Sequence, residues 1–577
     1  MFPALRKAWD LLDQYERKSV LALLGLMGIG MFLETLSIGM VIPAVSLLMR
    51  QNLVESYPAL RPLVESLGNP DHQLLVVGGM LVLVVLYLIK AVFLAFLAWR
   101  QMRFGFNMQA KLSQRLFETY LLQPHTFHLQ RNSAELIRNA ITEVSVFTGS
   151  ALIPGMLLMT EGLVLAGIAS LMFVVEPVGA LVVVLVLAAA VWVFHGATGA
   201  RIARWGELRQ YHEGLRMQHL QQGLGGAKDI KLLGREEDFL TQYSFHNTQS
   251  ARMAQLQSTL QQFPRLWLEL LGVTGLASLV VTMVIQGKEM SHVVSTLGLF
   301  AAAAFRLMPS MSRMLAATQS MRFGLPAVNT LYEELKLSKC GPGGAVIERG
   351  QVLQNEIRLA NVCYTYPGCS TLVLENISLV IRGGESVGFV GLSGSGKSTL
   401  VDVILGLLAP SSGEVLADGK DIRHSLRSWQ SQIGYVPQSI YLTDDTLRRN
   451  IAFGLSGQQI DDVAIKRAID AAQLTEFVAG LPQGLETMVG ERGVRLSGGQ
   501  RQRIGIARAL YHDPAILVLD EATSALDTET ERGVMRAVSA LQGHKTVLIV
   551  THRMSTVEQC SRVYRLECGK LVSETQP

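Results

Sequence analysis

The stretch LSGGQRQRIGIARALYHDPAILVLDE, residues 496–521, holds the features that decide the fold of this chain. It ends in ILVLDE, Ile516 to Glu521, a buried-strand pattern closed by two carboxylates. The apolar residues before this acidic pair argue against an exposed acidic patch. Asp520 suits Mg²⁺ coordination, and Glu521 stands one residue further on, where a base or a water-positioning group is needed. The strand therefore predicts one edge of a phosphate-hydrolysing site.

A phosphate-binding motif lies upstream. GLSGSGKS, Gly391 to Ser398, fits G-x-x-x-x-G-K-[ST], follows the apolar strand SVGFV and opens the apolar helix TLVDVILGLL. Its glycines let backbone N–H groups approach phosphates, Lys397 reaches the β- and γ-phosphates, and Ser398 ligates Mg²⁺. A glycine-rich turn alone would not explain the flanking strand and helix. The loop residues predicted to bind ATP are Gly391, Ser393, Gly394, Ser395, Gly396, Lys397, Ser398 and Thr399.

The order of these motifs closely resembles that of ATP-binding cassette ATPases, in which LSGGQ precedes a helix and the acidic strand. The resemblance implies that Tyr366 of YTYPG stacks on adenine, with Tyr364 as the alternative. It also implies that Gln438 of YVPQ contacts Mg²⁺ and that His552 of VTHR contacts the γ-phosphate. The implied catalytic residues are Glu521, His552 and Lys397, and the implied metal ligands are Ser398, Gln438 and Asp520.

The LSGGQ segment of such ATPases completes the ATP site of the opposite subunit. The resemblance implies that this segment lies at a helix N-terminus and binds the γ-phosphate of ATP held by a partner. Its residues with this implied role are Ser497, Gly498, Gly499 and Gln500. One cassette then supplies only half of each site, so a homodimer is expected. A heterodimer with a related chain stays open.

The composition divides the chain into two halves. Of its 577 residues 49% are apolar and 17% charged, against about 25% charged residues in soluble proteins. Long apolar runs dominate up to about Thr318, and an ordinary α/β pattern follows from about Ile347. A net charge of +4 gives no argument for nucleic acid. All 5 cysteines, from Cys340 onward, follow the apolar half and have no C-x-x-C spacing, which predicts reduced, structural thiols facing the cytosol.

Six apolar segments are long enough to span a bilayer, which takes about 20 residues. They lie at about 20–48, 74–99, 146–174, 178–200, 265–286 and 292–320. Basic residues concentrate at the N-terminus and in two long loops, which predicts that both termini and these loops are cytoplasmic. The spacing of apolar residues in 53–67 fits an external amphipathic helix and a structured loop equally well. The predicted domains are a transmembrane domain over 1–330, a linker over 331–346 and a nucleotide-binding domain over 347–577.

Six helices joined directly to a cassette resemble ABC exporters. The resemblance implies an α-helical membrane domain fused to a cytoplasmic α/β P-loop domain, with ATP and Mg²⁺ as cofactors and hydrolysis coupled to transport. Breaks near Pro124–Asn132 and Gly223–Asp229 interrupt the cytoplasmic helical loops and predict docking surfaces, the second for the partner's cassette. A regulatory ATPase or channel would often show damaged catalytic residues, whereas Glu521 and His552 are intact.

Segments of the membrane half resemble the lipid-linked oligosaccharide flippases of bacterial protein N-glycosylation, the PglK type. These segments are MFLETLSIGMVIPAVSLLM, residues 53–67, KDIKLLGRE and AAFRLMPSMSRM. The resemblance implies that the substrate is an anionic lipid-linked glycan, a polyprenyl-pyrophosphate glycan, flipped across the cytoplasmic (inner) membrane. Two alternatives stay open, namely an exporter of lipid A or glycolipid and an exporter of drugs or peptides.

Three cations fall inside the predicted spans. With a rise of about 1.5 Å per residue, Lys90, Arg265 and Arg306 share one band in the cytoplasmic half of the membrane. We predict that they line a dimer cavity and hold the anionic head group of the substrate, because intramembrane cations mark substrate paths. In the alternative they pair with carboxylates at similar depths. Those carboxylates are Glu34, Glu161 and Glu269.

Overall fold

The structure is a computed structural model of the chain, and it describes residues 2–40, 72–175, 177–285, 290–337, 353–523, 528–541 and 543–575. The chain divides into two compact units. The first comprises Met1–Gln123 and Arg131–Cys340, and the second comprises Pro124–Gln130 and Gly341–Pro577. The short segment Pro124–Gln130 is thus inserted in the sequence of the first unit but groups with the second.

Long helices make up the described part of the first unit. With the inserted α4 included, the helices are α1 (Phe2–Asp10), α2 (Gln14–Gly39), α3 (His72–Leu121), α4 (His125–Gln130), α5 (Ser133–Arg138), α6 (Val144–Phe147), α7 (Ile153–Val175), α8 (Pro177–Gly225), α9 (Ala227–Leu233), α10 (Glu236–Leu260), α11 (Phe263–Ile285), α12 (Met290–Phe323) and α13 (Leu325–Leu335). Two π-helical turns, Asn139–Glu143 and Thr148–Leu152, link α5 to α6 and α6 to α7.

Local chemistry determines where several of these helices begin and end. At the start of α2, the Glu16 carboxylate accepts a hydrogen bond of 2.8 Å from the backbone N–H of Asp13. This contact satisfies a donor that the first helical turn leaves unpaired. At the end of α9, Gly234 adopts a φ of 63°, the left-handed conformation that glycine adopts without a steric penalty. The break after Gly223 is thus a short helix between two long ones.

The long helices extend well beyond a bilayer. The 50 residues of α3 and the 49 residues of α8 correspond to about 75 Å each, against about 30 Å of hydrocarbon. In the described part of the chain, four helical stretches are long and apolar enough to span a membrane. They are Gln14–Gly39, Gln73–Leu121, Ser133–Val174 and Val184–Gly225.

The predicted membrane segments fall on these helices with different ends. The segments 74–99 and 178–200 are the first parts of α3 and α8, and 265–286 and 292–320 fall on α11 and α12. Segment 146–174 is not one regular α-helix, because a π-helical turn interrupts it at Thr148–Leu152. Residues 331–335 of the predicted linker belong to α13. The external segment 53–67 and residues 41–48 of the first predicted span lie outside the described residues.

A buried ion pair joins α8 to the π-helical turn that follows α5. The side chain of Glu143 is fully buried, and one of its carboxylate oxygens lies 3.0 Å from Nη2 of Arg209. Removing one partner from such a pair leaves an uncompensated buried charge and typically costs about 3–5 kcal/mol. The pair therefore fixes how these two segments pack.

Two sheets form the second unit. In the described residues their strands are β1 (Glu356–Tyr364), β2 (Leu374–Arg382), β3 (Ser386–Val390), β4 (Ser412–Ala417), β5 (Lys420–Asp421), β6 (Ile433–Val436), β7 (Ile516–Asp520), β8 (Thr546–Val550), β9 (Arg562–Glu567) and β10 (Lys570–Thr575). The larger sheet has the order β10-β9-β3-β8-β7-β6, and the smaller has the order β2-β1-β4-β5.

Helices cover the larger sheet and connect its strands. They are α14 (Lys397–Ile404), α15 (Leu426–Gln430), α16 (Leu447–Ile451), α17 (Asp462–Ala471), α18 (Thr475–Ala479), α19 (Gly498–Tyr511), α20 (Thr528–Ser539) and α21 (Met554–Val557). Every residue of β3, β7 and β8 is buried, as expected of strands covered on both faces.

The strand order places the functional loops together. Strands β3, β8, β7 and β6 pair in parallel, so their carboxyl ends meet at one edge of the sheet. The phosphate loop follows β3, the acidic pair closes β7, and the segments with Gln438 and His552 follow β6 and β8. Chain topology therefore brings four separate motifs to one place.

Candidate ATP-hydrolysing site

The phosphate loop is formed by glycines in conformations that other residues rarely adopt. Gly394 and Gly396 have φ values of 81° and 99°. A Cβ atom on Gly396 would lie 3.0 Å from the carbonyl oxygen of Val373, so glycine is also required there for space. The ammonium of Lys397 donates to the carbonyl oxygens of Gly391 and Leu392 at 2.9 and 2.8 Å. Two loop carbonyls thus hold the lysine inside the loop.

The loop residues differ in exposure as a phosphate cradle requires. Ser393, Gly394 and Ser398 are exposed, whereas Ser395, Gly396, Lys397 and Thr399 are buried. The hydroxyl oxygen of Ser395 is buried without a hydrogen-bond partner. The loop leads directly into α14, whose first turn leaves backbone N–H groups free to bind an anion. The predicted loop residues are therefore contiguous and lead into the N-terminus of α14.

Ser398 and Asp520 meet at the mouth of this loop. The Ser398 hydroxyl is hydrogen-bonded to the Asp520 carboxylate, which is only 6% exposed. Burial raises the pKa of Asp520, and the negative charges of Glu521 and Asp402 raise it further, while Ser398 and Lys397 oppose the shift. A hydroxyl and a carboxylate are the oxygen donors that Mg²⁺ prefers, so this pair fits the predicted metal ligands. A bound cation would offset the cost of the buried charge.

Glu521 is the centre of a second cluster. Its carboxylate accepts a hydrogen bond of 2.7 Å from the amide of Gln438, and its other oxygen lies 3.3 Å from Nδ1 of His552. The structure therefore brings together three residues that the sequence analysis selected from three strands. Glu521 has a φ of 46°, in a region that typically costs a non-glycine residue about 1–3 kcal/mol. Its backbone N–H donates to the carbonyl of Val550, which holds this conformation.

The two candidate adenine-stacking tyrosines have different environments. Tyr364 is 3% exposed and packs in the core, with a hydroxyl that lacks a hydrogen-bond partner. Tyr366 is half-buried, and its hydroxyl lies 3.1 Å from Oγ1 of Thr399 at the start of α14. The accessible ring beside the phosphate loop favours Tyr366 over Tyr364 for stacking.

The LSGGQ segment caps α19. Oγ of Ser497 accepts from the backbone N–H of Gln500 at 3.1 Å, and Oε1 of Gln500 accepts from the N–H of Ser497 at 2.9 Å. This capping box leaves Ser497 exposed at the positive end of the helix dipole. Gly498 and Gly499 form its first turn. The SALD segment, residues 524–527, which the resemblance to cassette ATPases implies crosses the dimer interface, lies outside the described residues.

Two residues of this site were missed by the sequence analysis. Tyr435 donates a hydrogen bond to Asp520, and burial together with the charges of Asp520 and Asp402 raises the pKa of Tyr435. Burial also raises the pKa of Asp402, which is four residues from Ser398 on α14. That helical spacing was the available signal for Asp402. No sequence pattern pointed to Tyr435, because its contact with Asp520 depends on the pairing of its strand β6 with β7.

The first predicted break, near Pro124–Asn132, contributes to the cassette unit. Its helix α4 groups with this unit, and the His125 side chain lies close enough to lower the pKa of Asp402, which burial raises. The predicted second break, Gly223–Asp229, contains the end of α8 and the start of α9 in the first unit.

The predicted substrate cations have different partners in the first unit. The Lys90 side chain is 14% exposed, and its ammonium lies 3.5 Å from the Glu34 carboxylate and 4.2 Å from the Tyr87 ring centre. Arg265 forms a 2.9 Å ion pair with Glu269 one turn away and remains 73% exposed. The side chain of Arg306 is outside the described residues.

Glu161 pairs with a cation that the sequence analysis did not name. Its carboxylate lies 2.5 Å from Nε of Arg313 on α12, and Arg313 remains 42% exposed. Arg313 lies seven residues after Arg306, about two turns nearer the end of α12. Estimated depth alone could not identify this pairing.

Comparisons with known proteins cover most of the chain. Residues 374–524 match the family model described as ABC transporter, and residues 23–308 match that of the ABC transporter transmembrane region. The ATP-dependent lipid A-core flippase of Vibrio vulnificus is 31% identical over 81% of this chain and 79% of its own. The flippase of the same description from Photobacterium profundum is 32% identical over 80% and 78%.

A solved structure shares the fold. The structure of a bacterial Atm1-family ABC exporter with ATP bound superposes with a TM-score of 0.80. The match covers 98% of this chain and 96% of that one, at 23% sequence identity.

Proposed function

Because the chain belongs to the ABC transporter family, we propose that two copies form an ATP-driven flippase for an anionic glycolipid of the lipid A-core class. Family membership confirms the predicted membrane domain fused to an α/β cassette, and with it a multi-pass membrane protein that hydrolyses ATP to drive transport. The substrate, the homodimer, the inner-membrane location and the cytoplasmic termini are parts of the proposal.

The observation that supports this substrate class is the extent of the sequence match. Relatives named for lipid A-core flipping are 31–32% identical across about four fifths of both chains. A match of this extent includes the membrane helices, where a substrate must be recognised, as well as the cassette. It favours the lipid A alternative over the lipid-linked oligosaccharide that the membrane segments predicted.

Charges on the membrane helices support an anionic head group. Arg265 and Arg313 are each paired with a glutamate yet remain 73% and 42% exposed. A guanidinium held by one carboxylate keeps further N–H donors for a phosphate, to which it can bind through two parallel hydrogen bonds. Lys90, which is only 14% exposed, is better placed to hold Glu34 than to contact a substrate. We assign the head group to Arg265, Arg306 and Arg313, and we place Lys90 in a supporting role.

A lipid-linked oligosaccharide is the second candidate. The local resemblances in KDIKLLGRE and AAFRLMPSMSRM favour it, and its pyrophosphate would suit the same arginines. Both candidates combine a lipid, a phosphate group and a glycan, so the charged side chains do not discriminate between them.

The residues of one ATP site have separable tasks. Lys397 and the loop N–H groups bind the phosphates, and Tyr366 supports the adenine. Glu521, held by Gln438 and His552, orients the attacking water and accepts its proton. Ser398, Asp520 and Gln438 would hold Mg²⁺, which, when bound, offsets the negative charge of the phosphates. Ser497 and Gly499 would complete the site of the partner, which is why we propose a dimer.

Transport into proteoliposomes tests the proposal. Purified protein reconstituted with a lipid A-core glycolipid, a polyprenyl-pyrophosphate oligosaccharide or a fluorescent drug should flip the lipid A-core glycolipid in an ATP-dependent manner. The Glu521→Gln variant provides the control without hydrolysis. Flipping of the oligosaccharide alone would identify the second candidate, and transport of the drug alone would reject both. A single-subunit elution mass in mild detergent would contradict the homodimer.

A further inference from the structure

A cavity of about 420 Å³ lies in the first unit among α1, α2, α3, α7, α8 and α12. Its walls are mainly apolar, with Leu12, Phe104, Met156 and Met321 among them. Among the described residues that line it, Arg322 is the one charged side chain. The volume falls within the range of about 300–1,000 Å³ that is usual for small-molecule sites. An apolar chamber with one cation suits a molecule that is apolar at one end and acidic at the other.

The cavity lies at the cytoplasmic ends of the predicted spans. Val20 begins the first predicted span, Ala200 ends the fourth, and Arg322 follows the sixth by two residues. The basic loops that place these ends in the cytoplasm also place the cavity at the level of lipid head groups. The short helix α1 contributes Trp9, a residue type that is enriched at membrane–water interfaces.

Two guanidinium groups, one lining the cavity and the other stacked on the wall residue Trp9, lack a carboxylate partner in the part of the chain that the structure describes. Arg322 contacts Nε2 of His195. Arg17 stacks with its central carbon 5.6 Å from the Trp9 ring centre, and its Nε atom is buried without a hydrogen-bond partner. In this they differ from Lys90, which is held by a glutamate. Their charge therefore remains available to an anion.

The helix opposite Arg322 leaves room for this guanidinium. A Cβ atom at Gly199 would lie 1.4 Å from Nη1 of Arg322, so a larger residue at position 199 would displace the arginine. Gly199 thus lets the guanidinium lie directly against α8 at the rim of the cavity.

We infer that this cavity binds one acyl chain of an acidic phospholipid from the cytoplasmic leaflet, with the lipid phosphate against Arg322 and Arg17. Guanidinium groups bind phosphate oxygens through charge-assisted hydrogen bonds. The cytoplasmic leaflet supplies anionic lipids at the level of the cavity. The occupant is a lipid of the surrounding bilayer rather than the transported glycolipid, so the inference does not depend on the proposed function.

Lipid titration of the purified full-length protein, followed by native mass spectrometry, tests this inference. Delipidated protein is titrated with phosphatidylglycerol or with phosphatidylcholine of the same acyl chains. We expect saturable binding of phosphatidylglycerol, about tenfold weaker binding by Arg322→Gln, and recovery in Arg322→Lys. Ala200→Phe, which fills the cavity and keeps the charge, should abolish the saturable component.

Arg103→Gln is the matched control. Arg103 also lies just beyond a predicted span and stacks 5.3 Å from a tryptophan ring, that of Trp99, but it does not line this cavity. Its loss should leave phosphatidylglycerol binding unchanged. An equal loss in the Arg103 and Arg322 variants would mean general attraction to interfacial charge, and the inference would fail.

Further results would overturn the inference. These are equal binding of the two lipids, unchanged binding by Arg322→Gln and Ala200→Phe, or displacement of phosphatidylglycerol by a lipid A-core glycolipid at equimolar concentration. Thermal unfolding midpoints show whether each variant is folded. If Ala200→Phe or Arg322→Gln is unfolded, Ala203→Leu and Arg17→Gln replace them with the same expected losses.

Discussion

Replacing Glu521 with glutamine should nearly abolish ATP hydrolysis while leaving nucleotide binding intact. The amide oxygen of glutamine can still accept the 2.7 Å hydrogen bond from Gln438, so the side chain keeps its place. The negative charge that attracts a proton from water is lost. The neighbouring carboxylate cannot substitute for it, because Asp520 is 6% exposed and already bound by Ser398.

The size of the effect follows from the role of the residue. A positioned general base typically contributes about 10²–10⁴ to a rate. With His552 still available as a weaker acceptor 3.3 Å from the position of the carboxylate, we expect kcat to fall by about 10²–10³. That corresponds to about 3–4 kcal/mol of transition-state stabilisation. Binding of ATP should change by less than about threefold.

Phosphate release by the purified protein in detergent and in liposomes measures kcat, and a fluorescent ATP analogue measures binding. Glu476→Gln, on the exposed surface of α18, is the matched control and should hydrolyse ATP like the unmodified protein. Hydrolysis by Glu521→Gln within about threefold of normal would refute the assignment of the base. Loss of ATP binding would instead show that Glu521 holds the fold of the site.

Four further outcomes are expected. Ser398→Ala should raise the Mg²⁺ concentration needed for half-maximal hydrolysis by about tenfold with little change in ATP binding, and an unchanged Mg²⁺ titration would remove Ser398 from the metal site. Although burial opposes its charge, three backbone N–H bonds and Lys420 hold the pKa of Asp418 below its usual value. Asp418→Asn should therefore cost about 1–3 kcal/mol at neutral pH, and in thermal melts of the full chain the difference should vanish as pH falls through the lowered pKa. Lys90→Gln should lower the melting temperature and Glu34→Gln added to it should restore much of the loss, whereas additive losses would exclude coupling across the 3.5 Å pair. A cysteine replacing Asp229 should crosslink to a cysteine placed in the cassette of the other copy, and denaturing gels would detect the product by its doubled mass. Crosslinks only within one chain would contradict docking of the second break on the partner's cassette.

The residues of the cassette site could be predicted individually because most of them belong to short contiguous motifs. Lys397, Ser398 and Asp520 each stand at a fixed distance from a strand end, so local sequence specifies them. Their meeting at one sheet edge follows from the parallel strand order, which the βα pattern implies. Tyr435 escaped prediction because its contact with Asp520 depends on which strands are neighbours.

Ion pairs in the membrane half could be anticipated as a class but not as partners. Hydropathy gives the depth of a charge along a helix, and that placed Lys90 and Glu34 correctly at one level. Depth does not give the rotation of a helix or the identity of its neighbour. For this reason Glu161 was expected near the cations of one band, whereas it contacts Arg313, further along α12.

The unequal continuity of the long helices has a mechanical consequence. Helix α3 contains no proline along its 50 residues, whereas α12 carries Pro309 inside it. An uninterrupted helix about 75 Å long acts as a lever, and tilting it by about 5° displaces its far end by about 6 Å. A proline removes one backbone hydrogen bond and lets a helix bend at that point. A rotation imposed at one end of α3 therefore reaches its other end with little loss, whereas α12 can absorb part of a similar rotation by bending at Pro309.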